Sequence, residues 1–157
     1  MIAVVQRVSR AQVAVDGKVI GSCDKGFMVL LGVAANDDEA EARALCQKLV
    51  KLRIFTDEND KMNLSIRDVG GSMLIVSQFT LLADTSHGNR PSFIGAGAPA
   101  HAKELYEKFV DMVRAENIPV ETGEFGADMR IDLAADGPVT IVMDSEVLKQ
   151  PKKGATR

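Results

Sequence analysis

Two short segments contain residues whose types and spacing could support catalysis. The first, "VSQFTLLAD" (residues 76–84), ends an apolar run with Ser77, Gln78 and Thr80. A strand here would place Gln78 and Thr80 on one face, because alternate side chains of a strand share a face. Thr80 could then be a nucleophile or position a water molecule, with Gln78 as a neutral donor. Alternatively, both only satisfy backbone groups at a strand end, since a threonine without an adjacent base is a poor nucleophile.

The second segment is "ADGPVT" (residues 135–140), in which Gly137 and Pro138 precede the apolar run Val139–Val142. Proline cannot donate a hydrogen bond to a β-ladder, and glycine adopts backbone angles that other residues avoid. Taken alone, the pair predicts a turn at the mouth of a buried strand. The alternative is that the backbone at this point forms part of a functional site.

The usual catalytic motifs are absent from the sequence. No GxSxG, Walker A or HExxH motif occurs. Cys23, Cys46, His87 and His101 are too scattered to predict a metal site, and the cysteines are expected to be reduced core thiols. A Cys–His pair stays open as an alternative. His87 lies in a polar loop and is not expected to be catalytic. We therefore predict no metal and no cofactor.

Composition indicates one globular domain. The chain has 157 residues, 46% of them hydrophobic, and no apolar run long enough to cross a membrane. A net charge of -3 argues against a protein that coats nucleic acid electrostatically. It leaves open the recognition of one RNA end, where shape and stacking matter more. The first residues do not resemble a signal peptide, so a cytoplasmic location is expected.

The hydrophobic pattern predicts about seven strands and two helices, hence an α/β (α+β) fold. Mixed β-sheets in layers would carry both helices on one face of a single domain. Two helices cannot cover so much sheet, so a dimer is expected. The helices are predicted at about 38–52 and from Pro99 to about Glu116. One long strand or two shorter ones, with a bulge at Ser9-Arg10, are predicted before the turn Asp16-Gly17. The next predicted strands are KVIGSC, GFMVLLGVA, RIFTD and, after the turn Gly70-Gly71, SMLIVSQFTL. A further strand and a hairpin are predicted within 120–144. The Gly/Pro-rich segment between SMLIVSQFTL and Pro99 is a candidate functional loop.

Four ordered segments identify a family resemblance. "VSQFTLLAD", "GNRPSF", "ETGEFGADM" and "DGPVT" follow the opening "MIAVVQRVSRAQVAVDG". In this order they closely resemble the bacterial and eukaryotic D-aminoacyl-tRNA deacylases, from Met1 to about Asp144. The resemblance implies a deacylase domain over 1–145 and leaves 146–157 as a basic, mobile tail.

The resemblance implies a metal-free homodimer that hydrolyses the ester joining a D-amino acid, or glycine, to the 3′-terminal adenosine of tRNA. Ser77 to Thr80, including Phe79, would line the adenosine pocket, and backbone N–H groups near Phe79 and Thr80 could stabilise the oxyanion. The terminal ribose 2′-OH would assist the attack. Gly137 and Pro138 would form a cis bond and enter the partner's site, where the backbone excludes every L side chain.

The remaining site residues have two interpretations each. Arg7 alone predicts a surface ion pair, whereas the resemblance implies that it orients Gly137-Pro138. Phe125 and Met129 alone predict core residues, whereas the resemblance places them at the adenosine pocket. Arg90 could contact a tRNA phosphate or hold its own loop. The rival functions are a Thr80-dependent esterase or peptidase, and a non-catalytic nucleotide- or DNA-associated binding module.

Overall fold

Six strands form one mixed sheet. Five of them follow in the order Lys18–Cys23, Ile2–Val15, Gly26–Gly32, Ser72–Ser77 and Val120–Thr122, and the sixth, Arg130–Asp144, also pairs with Ile2–Val15. The structure is a computed structural model that describes residues 1–149. Within that range the elements are β1 Ile2–Val15, β2 Lys18–Cys23, β3 Gly26–Gly32, α1 Glu39–Lys51, β4 Phe55–Thr56, β5 Met62–Leu64, β6 Ser72–Ser77, a 3₁₀ turn Phe79–Leu82, α2 Pro99–Ala115, β7 Val120–Thr122, β8 Arg130–Asp144 and α3 Ser145–Lys149.

The sheet curls until its ends nearly meet. Gly21 of β2 lies against the Thr122 carbonyl of β7, where a side chain would collide with that oxygen. The predicted α/β class with a mixed sheet is confirmed, but the layers are not. The six-stranded sheet nearly closes on itself around a second small core that contains Val13, Leu74 and Val76, and β4 and β5 form a separate two-stranded sheet. The long strand β1 makes this closure possible, since β2 and β3 pair with different parts of it.

Both predicted helices are confirmed, and they cover the outer face of the sheet. Asp38 caps α1 in a capping box with Glu41, and Pro99 occupies the first turn of α2. Leu45 of α1 and Phe109 of α2 are fully buried in the main core with Phe27 of β3. This core holds in place the C-terminal ends of β3 and β6, beside which the candidate site lies.

Several predicted boundaries were wrong. Strand β6 ends at Ser77, where the chain leaves the sheet for the 3₁₀ turn. Residues 120–144 form no hairpin, because β7 pairs parallel with β6 while β8 pairs antiparallel with β1. Val142 is 69% exposed rather than buried, because it lies on the face of β8 opposite to the buried Val139 and Met143.

A third helix lies across the predicted boundary between domain and tail. Helix α3 comprises Ser145–Lys149, and the Lys149 ammonium forms an ion pair with the buried Glu41 carboxylate. The rest of the predicted tail, 150–157, lies outside the described residues. None of the helices in the described range is long and apolar enough to span a membrane.

Candidate active site

The end of β6 is shaped to turn away from the sheet at Gln78. The Gln78 N–H donates to the Leu31 carbonyl at 2.8 Å, which completes the ladder between β6 and β3. The next four residues form the 3₁₀ turn, which packs on Gly32 of β3. A side chain at Gly32 would meet the Gln78 carbonyl at 3.0 Å, so glycine is required for this close approach.

The turn brings Gln78 and Thr80 together, although not as neighbours on one face of a strand. The Gln78 side-chain amide donates to the Thr80 hydroxyl across the turn. Within residues 1–149, the N–H groups of Phe79 and Thr80 donate to no protein acceptor, as expected at the start of a helical turn. The strand model therefore missed the backbone donors that this segment presents.

A cavity of about 710 Å³ opens beside this turn. Its walls come from β6, the turn, the start of α2 and the loop between β7 and β8. Of the predicted site residues, the cavity is lined by Ser77, Gln78, Phe79, Phe125 and Met129, whereas Thr80 does not line it. Sequence reasoning missed Phe93, Ala96–Pro99, Ala102 and Asp128, which complete the walls together with Ile131. The Gly/Pro-rich composition of the loop before α2 was the signal for several of them.

Gly137 and Pro138 lie apart from this cavity. They are exposed, sit within β8 where its register with β1 shifts, and are joined by a cis peptide bond. Gly137 has φ +123°, which favours glycine, and neither residue lines the cavity of its own chain. The predicted turn at a strand mouth is thus a break inside a strand of 15 residues.

Arg7 holds this break in place from beneath. Its side chain is buried, not on the surface as an isolated strand arginine would predict. The Nε atom lies 3.2 Å from both the Asp136 carbonyl and the Asp136 carboxylate, and Nη1 donates to the Ile54 carbonyl at 2.7 Å. A planar guanidinium provides several fixed donors, so one side chain joins β8 to the segment after α1.

The two cysteines have no features of a nucleophile. Both are buried, and burial raises the pKa of the Cys23 and Cys46 thiols to about 11. His101 hydrogen bonds the Asp37 carbonyl at 2.7 Å, and His87 contacts the Ser86 hydroxyl at 2.8 Å in an exposed loop. Neither histidine lines the cavity. Within residues 1–149 no group of three or more His, Cys, Asp or Glu side chains could hold a metal ion.

These features define an α/β domain with a largely apolar cavity, whose polar side chains include Ser77, Gln78 and Asp128. Comparison with known proteins places the chain more closely. The model of the D-Tyr-tRNA(Tyr) deacylase family matches residues 4–144. The chain belongs to this family, whose members are hydrolases.

Individual relatives agree with the family match. The chain is 58% identical to a D-aminoacyl-tRNA deacylase of Shewanella loihica over 140 residues, covering 89% of this chain and 97% of the relative. Its identity to the corresponding protein of Shewanella amazonensis is 55% with the same coverage.

Two solved structures share the fold. A c-Myc DNA unwinding element binding protein aligns with a TM-score of 0.87 and 39% identity, covering 92% of this chain and 98% of the other. A probable eukaryotic D-amino acid tRNA deacylase aligns with a TM-score of 0.77 at 18% identity, covering 90% and 97%.

Proposed function

We propose that this protein hydrolyses the ester bond of D-aminoacyl-tRNA and releases the free D-amino acid and tRNA. It also acts on glycyl-tRNA and rejects L-aminoacyl-tRNA. The observation that carries the proposal is the cavity lined by Phe79, Phe125 and Met129, at which the Phe79 N–H group has no acceptor among residues 1–149. Family membership supports the substrate class, because the matched relatives are named for it.

The cavity suits the terminal adenosine of tRNA. Nucleobases bind proteins by stacking on aromatic and apolar side chains, and polar groups at the edges add specificity. Phe125 and Met129 supply apolar surface to the cavity, while Ser77 and Gln78 supply polar groups. In this arrangement the aminoacyl ester would lie at the 3₁₀ turn.

The reaction does not require a strong protein nucleophile, because an aminoacyl ester is already activated. The barrier falls when water is held in position and donors face the developing oxyanion. The N–H groups of Phe79 and Thr80 are suited to this role, since no protein acceptor within residues 1–149 occupies them. The ribose 2′-OH would assist the attack, so that part of the catalytic machinery belongs to the substrate.

Chiral selection is assigned to Gly137 and Pro138 of a partner subunit. The pair is exposed, held rigidly by Arg7 and remote from the cavity of its own chain. The outer edge of β8 and the exposed Val142 support a subunit contact on this side, because exposed apolar residues on an edge strand favour association. A backbone close to the substrate Cα excludes any L side chain, accepts D side chains and lets glycine pass.

Thr80 is a weaker candidate for the catalytic role. Its hydroxyl accepts from the Gln78 amide, and no titratable side chain of the described residues hydrogen bonds to it. This arrangement disfavours the rival esterase or peptidase mechanism, which needs a base beside the hydroxyl.

The proposal is tested with tRNA charged with D-Tyr, L-Tyr or Gly at one enzyme concentration. We expect release of D-Tyr and Gly and retention of L-Tyr. Equal rates for D-Tyr and L-Tyr would eliminate chiral selection. Hydrolysis of none of the three, together with binding of the tRNA, would favour the non-catalytic binding module.

A further inference from the structure

We propose that the rim of the cavity, formed by Phe79, Phe93 and Arg90, binds the nucleotide directly 5′ of the terminal adenosine. The base would stack on the two phenylalanines and the phosphate would contact Arg90. This inference rests on the proposed function, since it assumes that the adenosine occupies the cavity. It adds an RNA subsite outside the reaction centre.

The aromatic pair is exposed at the cavity wall. The ring centroids of Phe79 and Phe93 are 5.1 Å apart in an edge-to-face arrangement, and both residues line the cavity. Phe79 is 56% exposed and Phe93 is 37% exposed, although large apolar side chains are usually buried. Exposed aromatic rings beside a nucleoside site are the surfaces on which single-stranded bases stack.

The loop that carries Phe93 is tied down at both ends. Asp84 and Ser92 exchange two backbone hydrogen bonds of 2.8 and 2.9 Å, and the Gly97 N–H donates to the Val33 carbonyl at 2.9 Å. Between these ties, residues 85–91 are all exposed. The loop therefore holds Phe93 against Phe79 and presents its own tip to solvent beside them.

Arg90 lies on that tip and differs from the other arginines. Of the eight arginines within residues 1–149, seven contact a protein oxygen, namely Arg7, Arg10, Arg43, Arg53, Arg67, Arg114 and Arg130. Arg90 has no hydrogen bond or ion pair in the described part of the chain, so it does not hold its own loop. An exposed guanidinium three residues before Phe93 in the same loop is suited to a phosphate.

The second cavity near the site is a poorer match for the tRNA backbone. This cavity of about 400 Å³ shares Phe125 with the first but is lined by Glu107, Asp111 and Glu124. Its two cations are Lys103 and Arg114, and Arg114 already donates to the Val120 carbonyl at 2.9 Å. Three carboxylates and two cations disfavour the binding of a phosphate in this cavity. The Phe79–Phe93 rim is therefore the better site for the tRNA backbone.

The test is a series of D-Tyr esters of increasing length: adenosine, the dinucleotide CpA, the trinucleotide CpCpA and full tRNA. In the wild type, KM should fall between adenosine and CpA, because only CpA has the extra base and phosphate. Phe93→Leu should raise KM for CpA and longer substrates about fivefold, as expected for one lost stacking contact. Because Phe93 also lines the cavity, KM for the adenosine ester is measured in the same variant and should rise by a smaller factor than KM for CpA.

Arg90→Gln should act through charge alone. We expect a KM increase of about threefold for CpA and longer substrates, and a plot of log KM against log salt whose slope falls by about 0.7. Lys48→Gln is the matched control: it removes the same charge from an exposed position of α1 and should change neither quantity.

The outcomes separate this inference from the proposed function. If both variants lose activity equally on the adenosine ester and on CpA, the rim only supports the cavity and the subsite is refuted. An equal KM for adenosine and CpA esters in the wild type would also refute it. If the wild type hydrolyses no D-Tyr ester in the series, the proposed function itself fails.

Discussion

The Ser77–Thr80 turn and the Gly137-Pro138 break both present backbone groups, yet the fold builds them in opposite ways. The turn is the end of a parallel strand, fixed by the last ladder hydrogen bond from Gln78 to β3. The break lies inside an antiparallel strand, where Arg7 supplies the donors that the ladder lacks. The turn borders a cavity, whereas the break projects from the surface.

Because of this difference, the two regions are suited to different functions. A turn that borders a cavity can contact a substrate bound there and offer it backbone donors. An exposed break that Arg7 holds in place can act only on a molecule that binds against it. We infer that the two regions meet across a subunit interface, so that substitutions can perturb one region and leave the other intact.

Gly137→Ala should have the largest effect. A Cβ at this position would lie 2.9 Å from Val139 Cγ2 and 3.2 Å from Arg7 Nη2, so the break must shift. Deacylation of D-Tyr-tRNA should fall about a hundredfold, as misplacement by roughly 1 Å does elsewhere. Gly17→Ala is the control, because Gly17 also has positive φ but no atom lies within 4 Å of its Cβ position. Full activity in Gly137→Ala would break the comparison.

Arg7→Gln should reduce selectivity more than rate. The shorter side chain cannot reach both the Asp136 and Ile54 carbonyls, so the break loosens and the ratio of D-Tyr to L-Tyr release falls about tenfold. The buried Ile54 carbonyl loses its donor, which should lower the free energy of unfolding by about 2 kcal/mol. Urea unfolding and paired rate assays measure both effects.

Arg10→Gln provides the comparison for Arg7. Arg10 lies on the same strand and forms an exposed ion pair with Asp132 at 3.5 Å, which should contribute little to stability. An unchanged D-to-L ratio in Arg7→Gln would show that the guanidinium has only a structural role.

The turn should tolerate the loss of its hydroxyl. Thr80→Ala removes one neutral hydrogen bond to Gln78 but leaves the N–H groups of Phe79 and residue 80 in place. The rate on D-Tyr-tRNA should fall less than about tenfold. A folded but inactive variant, verified by circular dichroism, would instead identify Thr80 as the nucleophile.

Thiol reagents should have the smallest effect. Both thiols have a pKa of about 11, so each stays protonated at pH 8, and burial keeps reagents from Cys23 and Cys46. Incubation of the native protein with iodoacetamide should leave the deacylation rate unchanged. Rapid loss of activity with one equivalent of alkylation would restore the Cys–His alternative.

The sequence predicts those parts of the fold that depend on local pattern. Helix α1 follows from its apolar spacing and from Asp38, and α2 begins at Pro99 as expected. The hairpin at Asp16-Gly17 is also confirmed, with positive φ at both residues. In these cases the deciding interactions lie within a few residues of each other.

Features that depend on distant contacts were not predictable from pattern. Strand β6 ends at Ser77 where the following turn packs closely on Gly32 of β3. Val142 is exposed because it lies on the face of β8 that the core does not cover. The buried position of Arg7 depends on Ile54 and Asp136, far away in sequence. Ordered motifs supplied the candidate site residues, and the resemblance assigned them to two groups. The fold adds that Gly137 and Pro138 do not line the cavity of their own chain.

The central claim is that the cavity of one subunit works with Gly137-Pro138 of its partner. The most direct measurement co-expresses two variants: Ala127→Trp, which places a bulky side chain in the cavity wall, and Gly137→Ala. Each carries a different affinity tag, and the doubly purified heterodimer is assayed on D-Tyr-tRNA. We expect about half of wild-type activity, since one of the two sites combines an intact cavity with an intact Gly137-Pro138 segment from the other subunit. A doubly substituted subunit paired with wild type should be inactive. The reverse pattern, an inactive first heterodimer and an active second, would contradict the account.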